Sequence, residues 1–501
     1  MKRIFNIKNL VFLLYISLSL LTFLNHTPWR DEAQAWLIAR DSNDLFSMLG
    51  QIRYEGTPPL WHLILFILAK LNMPYIWMGI IHLVLNWILV FLIIYKAPFN
   101  LLQKILIVFG YLVFFEYAII ARSYVLTMLF MLGIANLYKD FARNKYLILL
   151  LMFLLALTNA FGAIIAGVMF IGYFYLLIIN KQSKRSLYIY LSTSVLITLI
   201  LSFFIPPSDL AYPAYDKVSI FSQHTLTTFG KYILQSFSGN NELTILNDVS
   251  ILGSSFDTTL VIVGFLVWIS TLLTLLKSKK SFIFVMSTQL TLMTFMVYKD
   301  VTYMRHIGII FGVYLFGLWI SKAKGDSTLK ILGFLNNKYI YKISSLIVLL
   351  FLIIQVLLSQ TVFRQTYNVS FSNSKITAEY IKVNLNTDNS VFVGYHNYTM
   401  SSISPYFEKP FIYSLEHNKV TSFEYWNKEY GDNLYMSATQ IYSKTYKFCQ
   451  ENIGKDCYLI LDSSVEFPED KTKYKKVFTS NNSFIRDEDY VIYLVLNIQN
   501  L

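Results

Sequence analysis

Charged side chains are scarce in this chain. Only 14% of its 501 residues are Asp, Glu, Lys or Arg, while 55% are hydrophobic. That scarcity, with a mean hydropathy of +0.49, excludes a soluble domain of this size. Cysteine is nearly absent: Cys449 and Cys457 are the only two, and a disulfide and a pair of free thiols both remain open. No Gly-rich phosphate-binding turn is present, since Gly394 stands alone after its strand. No internal repeat is evident, and no His/Cys/Asp set has metal-ligand spacing.

What is present is a succession of apolar runs, each close to the ~20 residues that cross a bilayer as a helix. The pattern reads as a polytopic α-helical membrane protein. Eleven spans are expected, at about 9–24, 75–95, 103–119, 123–138, 147–158, 160–179, 187–205, 258–276, 282–298, 306–321 and 343–359. The first is preceded by Lys2, Arg3 and Lys8 and lacks a small-residue cleavage site, so it reads as a retained signal-anchor. The net charge of +12 reports topology rather than nucleic-acid binding. Its basic residues fall in short loops: Lys96 to Lys104, Lys139 to Lys145, Lys181 to Arg185, Lys277 to Lys280 and Lys322 to Lys342. An odd span count places these loops in the cytoplasm and the C-terminus outside.

Residues 58–71 are apolar but short, and read as a half-helix or one arm of a broken span, opened by Pro58 and Pro59. Two outer loops are expected, 25–57 and 206–257. The first reads as short helices at Asp31 to Ala39 and Asn43 to Ile52. From about residue 360 the composition turns polar, so the chain divides into a membrane domain, 1–359, and an extracytoplasmic soluble α/β domain, 360–501. Strands are expected at 390–394, 410–413, 457–462 and 490–496, with a helix near 433–447.

Charged residues at span ends need a reason, because burying charge is expensive. Five groups share the expected outer level: Arg30-Asp31-Glu32; Arg53 with Glu55; Glu116 with Arg122 and Tyr124; Lys299-Asp300; and Arg305-His306. Arginine pairs with phosphate through its planar fork, and a carboxylate can deprotonate an acceptor hydroxyl. Together they suit sugar transfer from an anionic lipid carrier. Each also has a structural reading. Asp31 and Glu32 suit the N-terminus of a helix, Glu55 suits a solvated loop beside Arg53, and Arg122 suits a salt bridge to Glu116. Arg305 and His306 suit an interfacial anchor, and Lys299 a snorkelling lysine. His62 and His82 read as core or interface polar residues.

Three stretches resemble the polyprenyl-phosphate-sugar-dependent membrane glycosyltransferases of the GT-C fold. They are Trp29-Arg30-Asp31-Glu32-Ala33-Gln34-Ala35-Trp36-Leu37-Ile38-Ala39-Arg40-Asp41, Tyr54-Glu55-Gly56-Thr57-Pro58-Pro59-Leu60-Trp61, and Glu116 through Arg122-Ser123-Tyr124. Arg305-His306-Ile307-Gly308 is similar too, and the likeness covers most of residues 1–360. That group includes lipid A aminoarabinose transferases, protein O-mannosyltransferases and lipopolysaccharide-core galacturonosyltransferases. The resemblance implies a GT-C-like fold of about 11–13 membrane helices and a catalytic acid at Asp31, with Glu32 matching beside it. It further implies a donor site involving Glu55, whose turn carries one extra residue here. Arg122, Tyr124, Arg305 and His306 are the expected substrate-binding residues. Some members of the group use a divalent metal and some do not, so the metal is left unassigned. The expected partners are a polyprenyl-phosphate-linked sugar, an envelope glycan, lipid or protein acceptor, and the bilayer, with no nucleic acid. A transporter or flippase of a lipid-linked sugar is the alternative, and a non-catalytic assembly protein the third reading.

Overall fold

The computed structural model describes residues 7–211, 223–239, 253–301, 303–322, 337–466 and 472–496. They fall into two compact units. One contains Met1–Leu21, Ile81–Phe203 and Ala214–Phe363; the other contains Thr22–Ile80, Phe204–Pro213 and Arg364–Leu501.

The first unit is helical. Among the described residues of the chain, seven helical stretches are long and apolar enough to cross a membrane: Ile7–Leu24, Ile76–Lys96, Tyr124–Ala156, Ala160–Ile179, Lys184–Phe203, Lys279–Tyr298 and Lys338–Asn368. Tyr124–Ala156 is a hairpin: its two helices, Tyr124–Leu137 and Phe141–Ala156, pack on each other across a 3₁₀ turn. Large apolar side chains such as Leu132, Met152, Ile165, Leu292 and Ile310 fill the interior.

Residues 103–119 do not form one straight span, contrary to the hydropathy reading. An α-helix ends at Val108, and a π-helical turn occupies Leu112–Glu116. The break releases carbonyl groups, and buried side chains satisfy them. Asn86 donates to the carbonyls of Val113 (3.1 Å) and Tyr117 (3.0 Å), and Tyr15 donates to Val113 at 2.9 Å. Irregular backbone is tolerated in apolar surroundings on these terms. Hydropathy averages over the stretch and is blind to the break.

A helix at Gln223–Ser238 lies within the stretch expected to be a loop. Phe229, Ile233 and Phe237 recur at helical spacing, and Phe237 packs edge-on against Phe311 at 5.3 Å. It crosses the Gly253–Leu273 helix closely enough that a Cβ on Gly264 would lie 2.0 Å from the Gly230 carbonyl oxygen.

The second unit is built on a six-stranded sheet. Its strands are β1 (Ser390–Gly394), β2 (Ile412–Ser414), β3 (Lys419–Val420), β4 (Asp456–Asp462), β5 (Tyr474–Thr479) and β6 (Tyr490–Val495). The spatial order is β3-β2-β1-β4-β6-β5; β1 is parallel to both β2 and β4, and the remaining pairs are antiparallel. Alternating residues separate two cores. Val393, Leu459 and Leu461 pack with Ile441 of the helix Ala438–Gln450, while Phe392, Ile412 and Ile460 pack with Ala378 and Ile381 of the helix Ser374–Asn384. Ser437 and Gln440 cap the former helix reciprocally, which sets its start five residues later than expected. The edge strands β3 and β5 carry exposed lysines and weak alternation, so the sequence reading passed over them. Cys449, in the Ala438–Gln450 helix, is joined to Cys457 at the start of β4.

Two helices of the first expected loop, Arg30–Asp41 and Leu45–Glu55, belong to this same unit, as does Leu60–Lys70 of the segment 58–71. Asp44 caps the second by accepting from the Ser47 amide, and Gly56 ends it at φ 58°, a left-handed conformation that glycine adopts freely. Leu60–Lys70 is 11 residues long and follows Pro59. The Arg30–Asp41 helix packs on it, and also on the Asn397–Met400 and Ser404–Tyr406 turns beside the sheet.

Candidate functional site

The acidic motif opens the Arg30–Asp41 helix. Glu32 is wholly buried. Its Oε2 accepts from the Trp29 amide (3.3 Å) and lies 2.9 Å from His26 Nε2. The capping role weighed for Glu32 is therefore realised. Arg30 turns to the C-terminal segment, where its amide donates to Glu488 Oε1 (2.8 Å) and its guanidinium to Asp487 (2.7 Å). Burial pushes the Glu488 carboxyl up to about 7, against the pull of Arg30. Asp31, between these two engaged neighbours, is partly exposed.

Several buried polar atoms lie near Glu32. His26 Nδ1, Tyr75 OH, Tyr406 OH and Glu488 Oε2 complete no hydrogen bond among the described residues. Ser374 and Ser372 lie beside Tyr406 and Glu488 respectively, but without good hydrogen-bond geometry. Such an interior suits bridging water or hydroxyl groups.

Glu55 ends the Leu45–Glu55 helix and faces the same unit. Its Oε1 accepts from Gln34 (2.8 Å) and from the Trp426 indole (3.0 Å). Gln34 also exchanges both hydrogen bonds with the Glu424 backbone, at 2.9 and 2.8 Å. Beyond lies a buried group that sequence reasoning missed: Glu416, His417, Glu424 and Asn397. Asn397 donates its amide to Glu416 (2.9 Å) and its side chain to Glu424 (3.1 Å), and His417 Nε2 sits 2.6 Å from Glu424. Burial dominates their protonation. It pushes Glu424 well above the usual carboxylate range, raises Glu416 to about 7 with help from Glu424, and lowers His417 to about 4.

His396 and Asp462 were also missed. They follow β1 and end β4, at the carboxyl ends of adjacent parallel strands. His396 Nδ1 is 2.6 Å from the buried Asp462 carboxylate.

The remaining expected site residues lie in the helical unit. Tyr124 and His306 rings are 5.4 Å apart, and Phe161 stacks on His306 at 5.0 Å. Arg122 and Arg305 both act electrostatically on His306. The Arg305 guanidinium lies over the Tyr303 ring at 4.2 Å, and its carbonyl accepts from Tyr117 (3.1 Å). The Arg122 carbonyl lies 3.1 Å from His82 Nε2, and Glu116 accepts from Tyr111 (2.9 Å). Thus Arg122, Tyr124, Arg305 and His306 gather in one unit, and Asp31, Glu32 and Glu55 belong to the other.

Among the described residues, no group of three or more His, Cys, Asp or Glu side chains is placed to hold a metal ion. No family model and no curated protein sequence matches the chain.

Proposed function

We propose that the chain is an inverting membrane glycosyltransferase of GT-C-like architecture, with 11–13 membrane helices. It moves a sugar from a polyprenyl-phosphate carrier to an envelope glycan, lipid or protein on the outer face of the cytoplasmic membrane. The observation that carries this reading is the gathering of Arg122, Arg305 and His306 with Tyr124 in an apolar helical unit. Guanidinium groups kept in such surroundings suit a phosphate. In the other unit, Asp31 lies in the first turn of the Arg30–Asp41 helix and is partly exposed.

In this reading Asp31 takes the proton of an acceptor hydroxyl. The acceptor oxygen bonds to the anomeric carbon as the carbon–oxygen bond to the carrier phosphate breaks, and configuration inverts. The polyprenyl phosphate departs with its negative charge. Asp31→Asn should lower transfer by at least ~10²-fold, read by mass spectrometry of envelope glycans and lipids from cells carrying each form. Transfer at the normal rate would remove Asp31 as the base. Lipid-linked sugar still crossing the membrane, with no transfer in the wild type either, would favour the flippase reading.

A further inference from the structure

We propose that His396, Tyr398, Asp487 and Arg30 form a saccharide-binding site at the carboxyl edge of the sheet. The topology puts it there. From β1 the chain moves to β2 on one side, then returns to place β4 on the other. The crevice beyond the carboxyl ends of strands that diverge in this way is where open α/β sheets bind ligands.

The local chemistry supplies the second line. Asp462 Oδ2 faces His396 Nδ1, while Oδ1 accepts from the Ser464 amide (2.8 Å) and the Ser464 hydroxyl. A carboxylate so engaged assigns the proton to Nδ1. Nε2 makes no hydrogen bond among the described residues, and the His396 side chain keeps 18% of its surface exposed. The ring is held by Tyr395 and Tyr398, whose centroids lie 4.3 and 5.2 Å away. His396 also adopts φ 60°, a left-handed conformation uncommon for a residue with a Cβ.

The mouth offers matched groups to a polyol. Arg30 lies over the Tyr398 ring at 5.4 Å and donates to Asp487, whose side chain is 31% exposed. A flat ring suits the C–H face of a sugar, and an imidazole and a carboxylate accept from its hydroxyls while the guanidinium donates. Charge decides against an anion. Asp462 and Asp487 both act on Tyr398, with Arg30 the opposing cation. Identifying the bound saccharide with the transfer acceptor rests on the reading above; binding itself does not.

Saturation-transfer difference NMR on the full-length chain in detergent micelles tests this, with methyl glycosides of glucose, galactose, mannose and N-acetylglucosamine as probes. The wild type should show transfer to at least one glycoside. His396→Asn tolerates the left-handed backbone and should weaken that binding at least ~10-fold without lowering the melting temperature. Tyr398→Leu, which removes the ring platform, should do the same. No signal from the wild type, or full binding in both variants, overturns the site. Asp31→Asn separates the two ideas. Envelope transfer lost with glycoside binding intact supports both. Normal transfer by Asp31→Asn, with binding lost in His396→Asn, removes the base and upholds the saccharide site.

Discussion

Glu416 shows what burial does to a single side chain. The folded protein keeps a proton on this carboxyl up to about pH 7, while the unfolded chain releases it near 4.5. Its stabilising contribution is therefore fully present below pH 4.5 and lost as the pH rises through 7. His417 acts in the opposite sense. Lowered to about 4, it contributes stability above pH 6.5 that is lost as the pH falls through 4. Glu416→Gln keeps an acceptor for the Asn397 amide and removes the titration. Its unfolding free energy should vary less between pH 5 and 7.5 than that of the wild type, by at most about 1.4 kcal/mol per pH unit, read by thermal unfolding. An identical pH profile for both forms would mean that Glu416 does not hold its proton. Nothing local marks Glu416, Glu424 or Asp462 in the sequence. Glu416 and Glu424 are acidic residues in a polar segment, Asp462 closes an apolar run, and the partners of all three are set by packing. Asp31, Glu32 and Glu55 drew attention because the motifs around them are long, and their roles belong to the proposed function.

Among the elements, the break at 109–123 carries the clearest stability prediction. Asn86 is fully buried and bonds two of the carbonyls the break releases. Asn86→Leu keeps the size but leaves the Tyr117 carbonyl without that donor, while Tyr15 still serves Val113. We expect a loss of ~1–3 kcal/mol, measured as thermal unfolding in detergent. An unchanged melting temperature would show that other groups take over the bond. The helix Gln223–Ser238 escaped hydropathy because Gln, Thr, Ser and Lys dilute it, although its apolar spacing was readable. Strands β1 and β4 were legible as short apolar runs; β5, with Lys475 and Lys476, was not.

On the scale of the whole chain, the basic loops predict that the C-terminal segment lies outside the cytoplasm. Alkaline phosphatase fused after Val495 should be active in cells, and green fluorescent protein fused there should be dark. The reverse pattern would overturn the proposed sidedness. The Cys449–Cys457 disulfide suits an oxidising compartment. The grouping of residues 22–80 with 364–501 in one unit was not legible. Composition marks a shift near residue 360 but cannot say which earlier segment packs with the later one.

The sequence by itself determined the apolar helices, the helical start at the acidic motif, and the main strands of the C-terminal sheet. Those follow from hydropathy and periodicity, which neighbouring residues carry between them. Only the tertiary structure decided that Gln34 reaches Glu424, that Glu55 meets Trp426, and that His396 faces Asp462. These partners stand 390, 371 and 66 positions apart in the chain. A buried polar group finds its partner through packing, and packing joins residues that no local pattern connects.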